Sequence, residues 1–129
     1  MLYIIRSDDR NSGNANNFKI HLNNTRFDKN KKYYIYIKNV TPVLNAGNSY
    51  LEINIKGIGG VCYDSKNNNL ENNNIKLFMH SSDTKTQYYP KYEINNLNLS
   101  TIEISTYDLD GNLADLNKII VMFEIVEKI

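Results

Sequence analysis

Apolar residues recur along this chain at a spacing of two, the period at which alternate side chains share one face of a strand. Leu2–Ile5 opens as a short strand, and Phe18, Ile20 and Leu22 then alternate with Lys19 and His21. In Tyr33–Val40 the inward set is Tyr33, Ile35 and Ile37, with Tyr34, Tyr36 and Lys38 opposite. Leu51, Ile53 and Ile55 alternate with Glu52, Asn54 and Lys56, followed by Val61–Tyr63 and by Ile75, Leu77 and Met79. Ile102 and Ile104 alternate with Glu103 and Ser105, and Ile119–Val126 is apolar on both faces, which suits a central strand.

Turn signals separate these runs. Ser12-Gly13-Asn14, Asn45 to Asn48, Gly57 to Gly60 and Asp110-Gly111-Asn112 all offer residues that tolerate positive φ. Pro42 follows the Tyr33–Val40 strand, where a missing N–H costs no ladder bond. Helical signal is confined to Asn112–Lys118, where Leu113 and Leu116 stand three apart and predict a single turn. Ser65 to Asn74 reads as an exposed loop. The expected fold is all-β, one domain over residues 1–129: a two-sheet β-sandwich, with a jelly roll favoured over an immunoglobulin-like Greek key.

Composition narrows the function. The chain has 129 residues, enough for a core without staples, and its formal net charge of +1 supplies no field for nucleic acid. Lys29, Lys31 and Lys32 cluster, but Asp28 lies beside them, and a solvated turn accounts for the group. The single cysteine, Cys62, forms no internal disulfide, and no window is long and apolar enough for a membrane span. Met1 to Arg10 does not read as a signal peptide, so synthesis in the cytoplasm is expected. Asparagine makes up roughly one residue in six, against ordinary usage, with Asn67–Asn69 and Asn72–Asn74 as tracts. The excess is spread over many loops and reads as the codon bias of an AT-rich genome. The sequons at Asn23, Asn39 and Asn98 are chance products of it.

Catalytic constellations are weak. His21 and His80 have no second ligand at metal spacing, and His80, Ser81 and Asp83 are neighbours in sequence without the elbow a triad needs. Asp108 to Asn112 resembles the start of a calcium loop, but its glycine comes two places early and Ile119 stands where the closing Glu belongs. Gly57-Ile58-Gly59-Gly60 precedes no helix, so it is no phosphate loop. Asp8-Asp9 lies between Arg6 and Arg10; in strand geometry Arg6, Asp8 and Arg10 share a face, a charge-paired turn or docking patch. Of ten tyrosines, most fit core and cross-strand packing. Some fit an interface, because Tyr presents rigid amphipathic area. The candidate interface residues are Asp8, Asp9, Arg10, Tyr34, Tyr36, Tyr88 and Tyr89; no catalytic, metal or cofactor residues are assigned.

Ile5-Arg-Ser-Asp-Asp-Arg-Asn-Ser-Gly13, followed by Asn17-Phe-Lys-Ile-His-Leu22, resembles the opening of small virion proteins of large eukaryotic DNA viruses, virophages and polinton-like elements. There a short strand leads through a Ser-x-Asp-Arg-like turn into a Phe-x-Ile-x-Leu strand. Tyr33–Pro42, Ile102–Tyr107, Asp110–Asn112 and Val121–Ile125 are similar to later strands and turns of the same group. The resemblance implies a single jelly-roll or related β-sandwich acting as a minor capsid, penton-like or capsid-associated subunit. It implies self-association, contacts with other capsid proteins and residence in the virion, with no catalytic residues and no cofactor. Two other classes stay open: a carbohydrate- or receptor-binding β-sandwich with clustered Tyr and Asn, and a metal-dependent barrel enzyme, for which the histidines are too few.

Overall fold

The computed structural model describes all residues except 23–26, 29, 67, 68, 84–90 and 95–99, and the side chains of 59–62, 69, 71–73 and 94 are likewise outside the description. Among the described residues nine strands run in chain order: β1 (Leu2–Arg6), β2 (Ser12–Asn14), β3 (Asn17–His21), β4 (Tyr33–Leu44), β5 (Tyr50–Asp64), β6 (Asn69–His80), β7 (Lys91–Ile94), β8 (Thr101–Asp108) and β9 (Leu116–Glu127). One sheet has the order β1-β9-β4-β7, the other β2-β3-β8-β5-β6, and every pairing is antiparallel. The architecture is the expected all-β sandwich.

The pairings nest. β5 pairs with β6, β4 with β7, β3 with β8 and β1 with β9, as though the chain were one long hairpin closed between β5 and β6. Rolling that hairpin adds the pairs β4–β9 and β5–β8, which complete the two sheets. Alternation decides which face turns inward. Phe18 and Ile20 of β3, Ile35 and Ile37 of β4, Ile53 and Ile55 of β5, Ile102 and Ile104 of β8, and Val121 and Phe123 of β9 meet in one core. A fully buried aliphatic or phenyl side chain stabilises by roughly 1.5–3 kcal/mol, so this layer dominates the fold's free energy.

Several local expectations change. Asn112–Lys118 makes no helical turn: Tyr107 bridges to Leu113, the Ala114 amide donates to the Thr106 carbonyl, and β9 starts at Leu116. The only helical element among the described residues is a 3-10 turn, Ser7–Asp9. β4 runs through Pro42, which pairs with Ile119 of β9 and has no partner on its other side among the described residues. β7 carries the segment Lys91-Tyr92-Glu93-Ile94, too short to announce itself by alternation.

Gly57 to Gly60 is a bend inside a strand, not a turn between strands. Lys56 pairs with Asn74 and Val61 with Asn72, so four residues of β5 oppose only Asn73 of β6. Such an excess kinks a strand pair sharply. Gly57 sits at φ +106°, where an added Cβ would meet the Thr101 carbonyl oxygen. Val61–Tyr63 therefore continues β5, and the Ser65–Asn74 loop is a strand from Asn69 onward.

The fold-back is visible in one ion pair. Asp64 pairs with Asn69 in the ladder, seven residues before Lys76. A straight strand would separate those ends by about 23 Å. The Asp64 carboxylate nevertheless accepts a hydrogen bond from Lys76 Nζ, so the end of the β5–β6 hairpin doubles over the outer face of its own sheet.

Candidate functional site

Two outer faces distinguish the sandwich, one open and one roofed in part among the described residues. On the first sheet the outward positions fall into register rows. Leu2 lies beside Glu124 and Tyr36, Ile4 beside Met122 and Asn39, Arg6 beside Ile120 and Thr41, and Val126 beside Tyr34. Leu2, Ile4 and Val126 are 50%, 41% and 38% exposed, and Ile120, Met122, Tyr34 and Tyr36 are half-buried. Apolar side chains from β1, β9 and β4 thus meet solvent around Glu124, which stands between Leu2 and Tyr36; exposed apolar groups that cluster this way mark contact surfaces.

Tyr34 and Tyr36 are where alternation puts them, on the outward side of β4, with ring centroids 6.3 Å apart. Lysines cap them: Lys91 Nζ is 4.2 Å from the Tyr34 ring centroid, Lys128 Nζ 5.5 Å, and Lys38 Nζ is 5.4 Å from that of Tyr36. Lys128 also donates to Glu93 at 3.2 Å. That hydrogen bond, followed by the one with Tyr34, raises the Lys128 pKa above its ordinary value. The patch is apolar toward β1 and cationic toward β7.

The Ser7–Arg10 turn is built differently from the expected charge-paired strand. The chain leaves strand geometry at Ser7, so Arg6, Asp8 and Arg10 share no strand face. Ser7 is buried, and its Oγ accepts the Ile119 amide at 3.0 Å. Arg10 spends its guanidinium on carbonyl oxygens, Nη1 to Ser7 at 2.9 Å and Nε to Gly13 at 3.0 Å. Asp8 and Asp9 are exposed in the first turn. This turn and the tyrosines do not converge. Rows Leu2–Tyr36 and Arg6–Thr41 are four residues apart on β1, about 13 Å, and the turn lies beyond the second. Tyr88 and Tyr89 lie outside the described residues.

The second sheet's outer face is covered in part by the doubled-over hairpin; beyond the cover Tyr50 and Phe78 point outward and are 60% and 63% exposed. Beneath the hairpin is a cleft of about 190 Å³ lined by Glu52, Asn54, Lys56, Asp64, Lys66, Asn74, Lys76 and Tyr107. Asp64 accepts hydrogen bonds from Lys76 Nζ and the Lys66 amide, which hold its carboxyl below the ordinary value. Asn54, only 6% exposed although it points outward, donates to Glu52 Oε2 at 3.3 Å, while its Oδ1 is buried with no hydrogen-bond donor. The sequence offered no signal for this cleft, because its walls meet only through the kink at residues 57–60.

Other candidates resolve into local structure. His21 Nδ1 is 3.1 Å from Thr101 Oγ1 and His80 Nδ1 is 2.5 Å from Ser82 Oγ, at opposite ends of the second sheet. Asp83 Oδ2 accepts the His80 amide, which makes the segment a capped turn. Asp108 Oδ1 accepts the amides of Asp110 and Asn112, so the calcium-like segment is a tight hairpin turn. Among the described residues no three His, Cys, Asp or Glu side chains group to hold a metal ion, and no helix is long and apolar enough to cross a membrane. The chain matches no family model, and neither curated proteins nor solved structures provide a match.

Proposed function

We propose that this protein is a non-enzymatic structural subunit that works by protein–protein assembly, a minor capsid or capsid-associated component of a viral particle. The observation that supports assembly is the uncovered apolar face of β1, β9 and β4. Half-exposed Leu2, Ile4 and Val126, with Ile120, Met122 and two tyrosines arranged around Glu124, form a surface whose burial against a second copy removes apolar area from water. The viral setting is supported by the resemblance of the Ile5–Leu22 segment. Its Ser-Asp-Asp-Arg turn is a plugged, hydrogen-bonded joint between β1 and the β2–β3 hairpin.

The jelly-roll form of the sandwich belongs to the same proposal, and strand order supports it. An immunoglobulin-like sheet places its first two strands side by side, whereas here β1 neighbours the last strand and pairs nest around β5–β6. Sedimentation velocity of the purified chain tests assembly. We expect concentration-dependent dimers or larger species, shifted at least about tenfold toward monomer by Ile4→Lys, as for a residue central to an interface. A strictly monomeric chain that is also missing from purified particles by mass spectrometry overturns the reading.

A further inference from the structure

Assembly through the first sheet leaves the cleft on the opposite side of the sandwich without a role. Its lining sets three ammonium groups, Lys56, Lys66 and Lys76, against two carboxylates, Glu52 and Asp64. Lys76 and Asp64 are committed to each other, and the Asp64 carboxylate is further occupied by the Lys66 amide. Lys66 Nζ lies where a Cβ on Gly111 would stand, which brings the β8–β9 turn to the rim. Two cations, Lys56 and Lys66, thus border a space whose floor, on the same face of β5 as Lys56, holds the Glu52 carboxylate and the amide of Asn54.

The donor and acceptor sets select the ligand. A bare anion would meet the lysines but be repelled by Glu52 and Asp64. A neutral sugar would satisfy Glu52 but use none of the lining's excess positive charge, three ammonium groups against two carboxylates. A ring carrying both a carboxylate and hydroxyl groups meets both sets, since its hydroxyls donate to Glu52 while its carboxylate accepts from ammonium. Asn54 adds a second reason: its Oδ1 is a buried acceptor with no donor, costly to leave so. Asn54 belongs to the cleft lining, where a ligand hydroxyl would supply the missing donor. At about 190 Å³ the cleft is smaller than the space a drug-sized molecule needs and suits one sugar ring.

We infer that the cleft between Glu52, Asn54, Lys56, Lys66 and Tyr107 binds a single acidic sugar unit, a pyranose ring bearing a carboxylate. The ammonium of Lys56, exposed at the mouth, receives the carboxylate; Glu52 and Asn54 receive ring hydroxyls at the floor. The site is separate from the assembly face, so either function can fail without the other.

Two-dimensional amide NMR of the full chain, at constant ionic strength, tests it with three probes: sodium glucuronate, glucose and sodium phosphate. Glucuronate should shift the amides of Asn54, Lys56, Asp64 and Lys76 saturably, and the other two should bind at least about tenfold more weakly. Lys56→Gln should weaken glucuronate binding by about tenfold, the loss of one charge-assisted hydrogen bond, with the spectrum otherwise folded. Lys38→Gln, beside Tyr36 on the other sheet, should leave it unchanged. No saturable shift, an equal response to phosphate, or an unaffected Lys56→Gln variant overturns the proposal.

Discussion

Ser7 and Tyr3 show how two buried hydroxyls, one in β1 and one in the turn that follows it, carry opposite consequences. Ser7 Oγ is the acceptor for the Ile119 amide, with the turn closed over it by Arg10. Ser7→Ala therefore strands a buried N–H, and we expect a loss of about 1–3 kcal/mol in denaturant unfolding. Tyr3 stacks on Phe123 at 5.0 Å, but its hydroxyl is buried with no partner, and burial pushes the phenol pKa up. Tyr3→Phe keeps the stacking and removes the stranded group, so it should leave stability unchanged or raised in the same measurement. A Tyr3→Phe variant as damaged as Ser7→Ala would show that the phenol has a partner.

At the scale of the element, the doubled-over hairpin of β5 and β6 rests on a kink and a latch. Gly57→Ala forces a side chain into a positive-φ position against the Thr101 carbonyl, 2.5 Å from the new Cβ. A cost of order 1–3 kcal/mol is expected, read by thermal unfolding, with the amides of 61–66 losing exchange protection. The latch is the carboxylate of Asp64. Its folded-state pKa is depressed below the ordinary 3.8 by the Lys76 hydrogen bond first and the Lys66 amide second. A depressed carboxylate stabilises the fold fully above its unfolded value and ceases to do so as pH falls through its folded value. Asp64→Asn should therefore be less stable than the parent at pH 7, and the two should converge in acid below pH 3.8. A difference that persists undiminished at pH 2 would assign the loss to something other than the ion pair.

For the whole molecule, the apolar rows and the charged β7 margin of the first sheet imply opposite responses to salt. Self-association through Leu2, Ile4, Met122 and Val126 is driven by apolar burial, so sulfate should strengthen it and simple ionic screening should not dissolve it. The lysines over Tyr34 and Tyr36 lie at one margin, where they limit how far the apolar contact extends. Sedimentation in rising sodium sulfate and in rising sodium chloride separates the two effects. Dissociation by moderate chloride would mean that the β7 margin, with Lys91, Glu93 and Lys128, carries the contact instead.

Much of the fold was legible because a strand's inward set is a local property. Phe18 with Ile20, Ile35 with Ile37, Ile53 with Ile55 and Ile102 with Ile104 read as period-two pairs, and each pair is buried. Of the candidate contact residues, Tyr34 and Tyr36 were legible for the same reason, as the outward partners of that alternation. The Ile119–Val126 run reads as central, and β9 does lie between β1 and β4; alternation could not say that its outer side stays uncovered. Residue type alone also misassigned Gly57–Gly60, since glycine permits positive φ in a turn and in a bulge alike, and only the pairing of Lys56 and Val61 with Asn74 and Asn72 decides between them. The cleft follows from that decision. Asp64 and Lys76 are twelve residues apart in sequence and seven along the ladder, and they meet because the strand pair folds back. What this chain's sequence determined by itself is which residues face a core, because that is set by backbone geometry two residues at a time. Which outer face is open and which is partly roofed was decided only by the tertiary structure, because strand order and the kink depend on contacts between residues far apart in the chain.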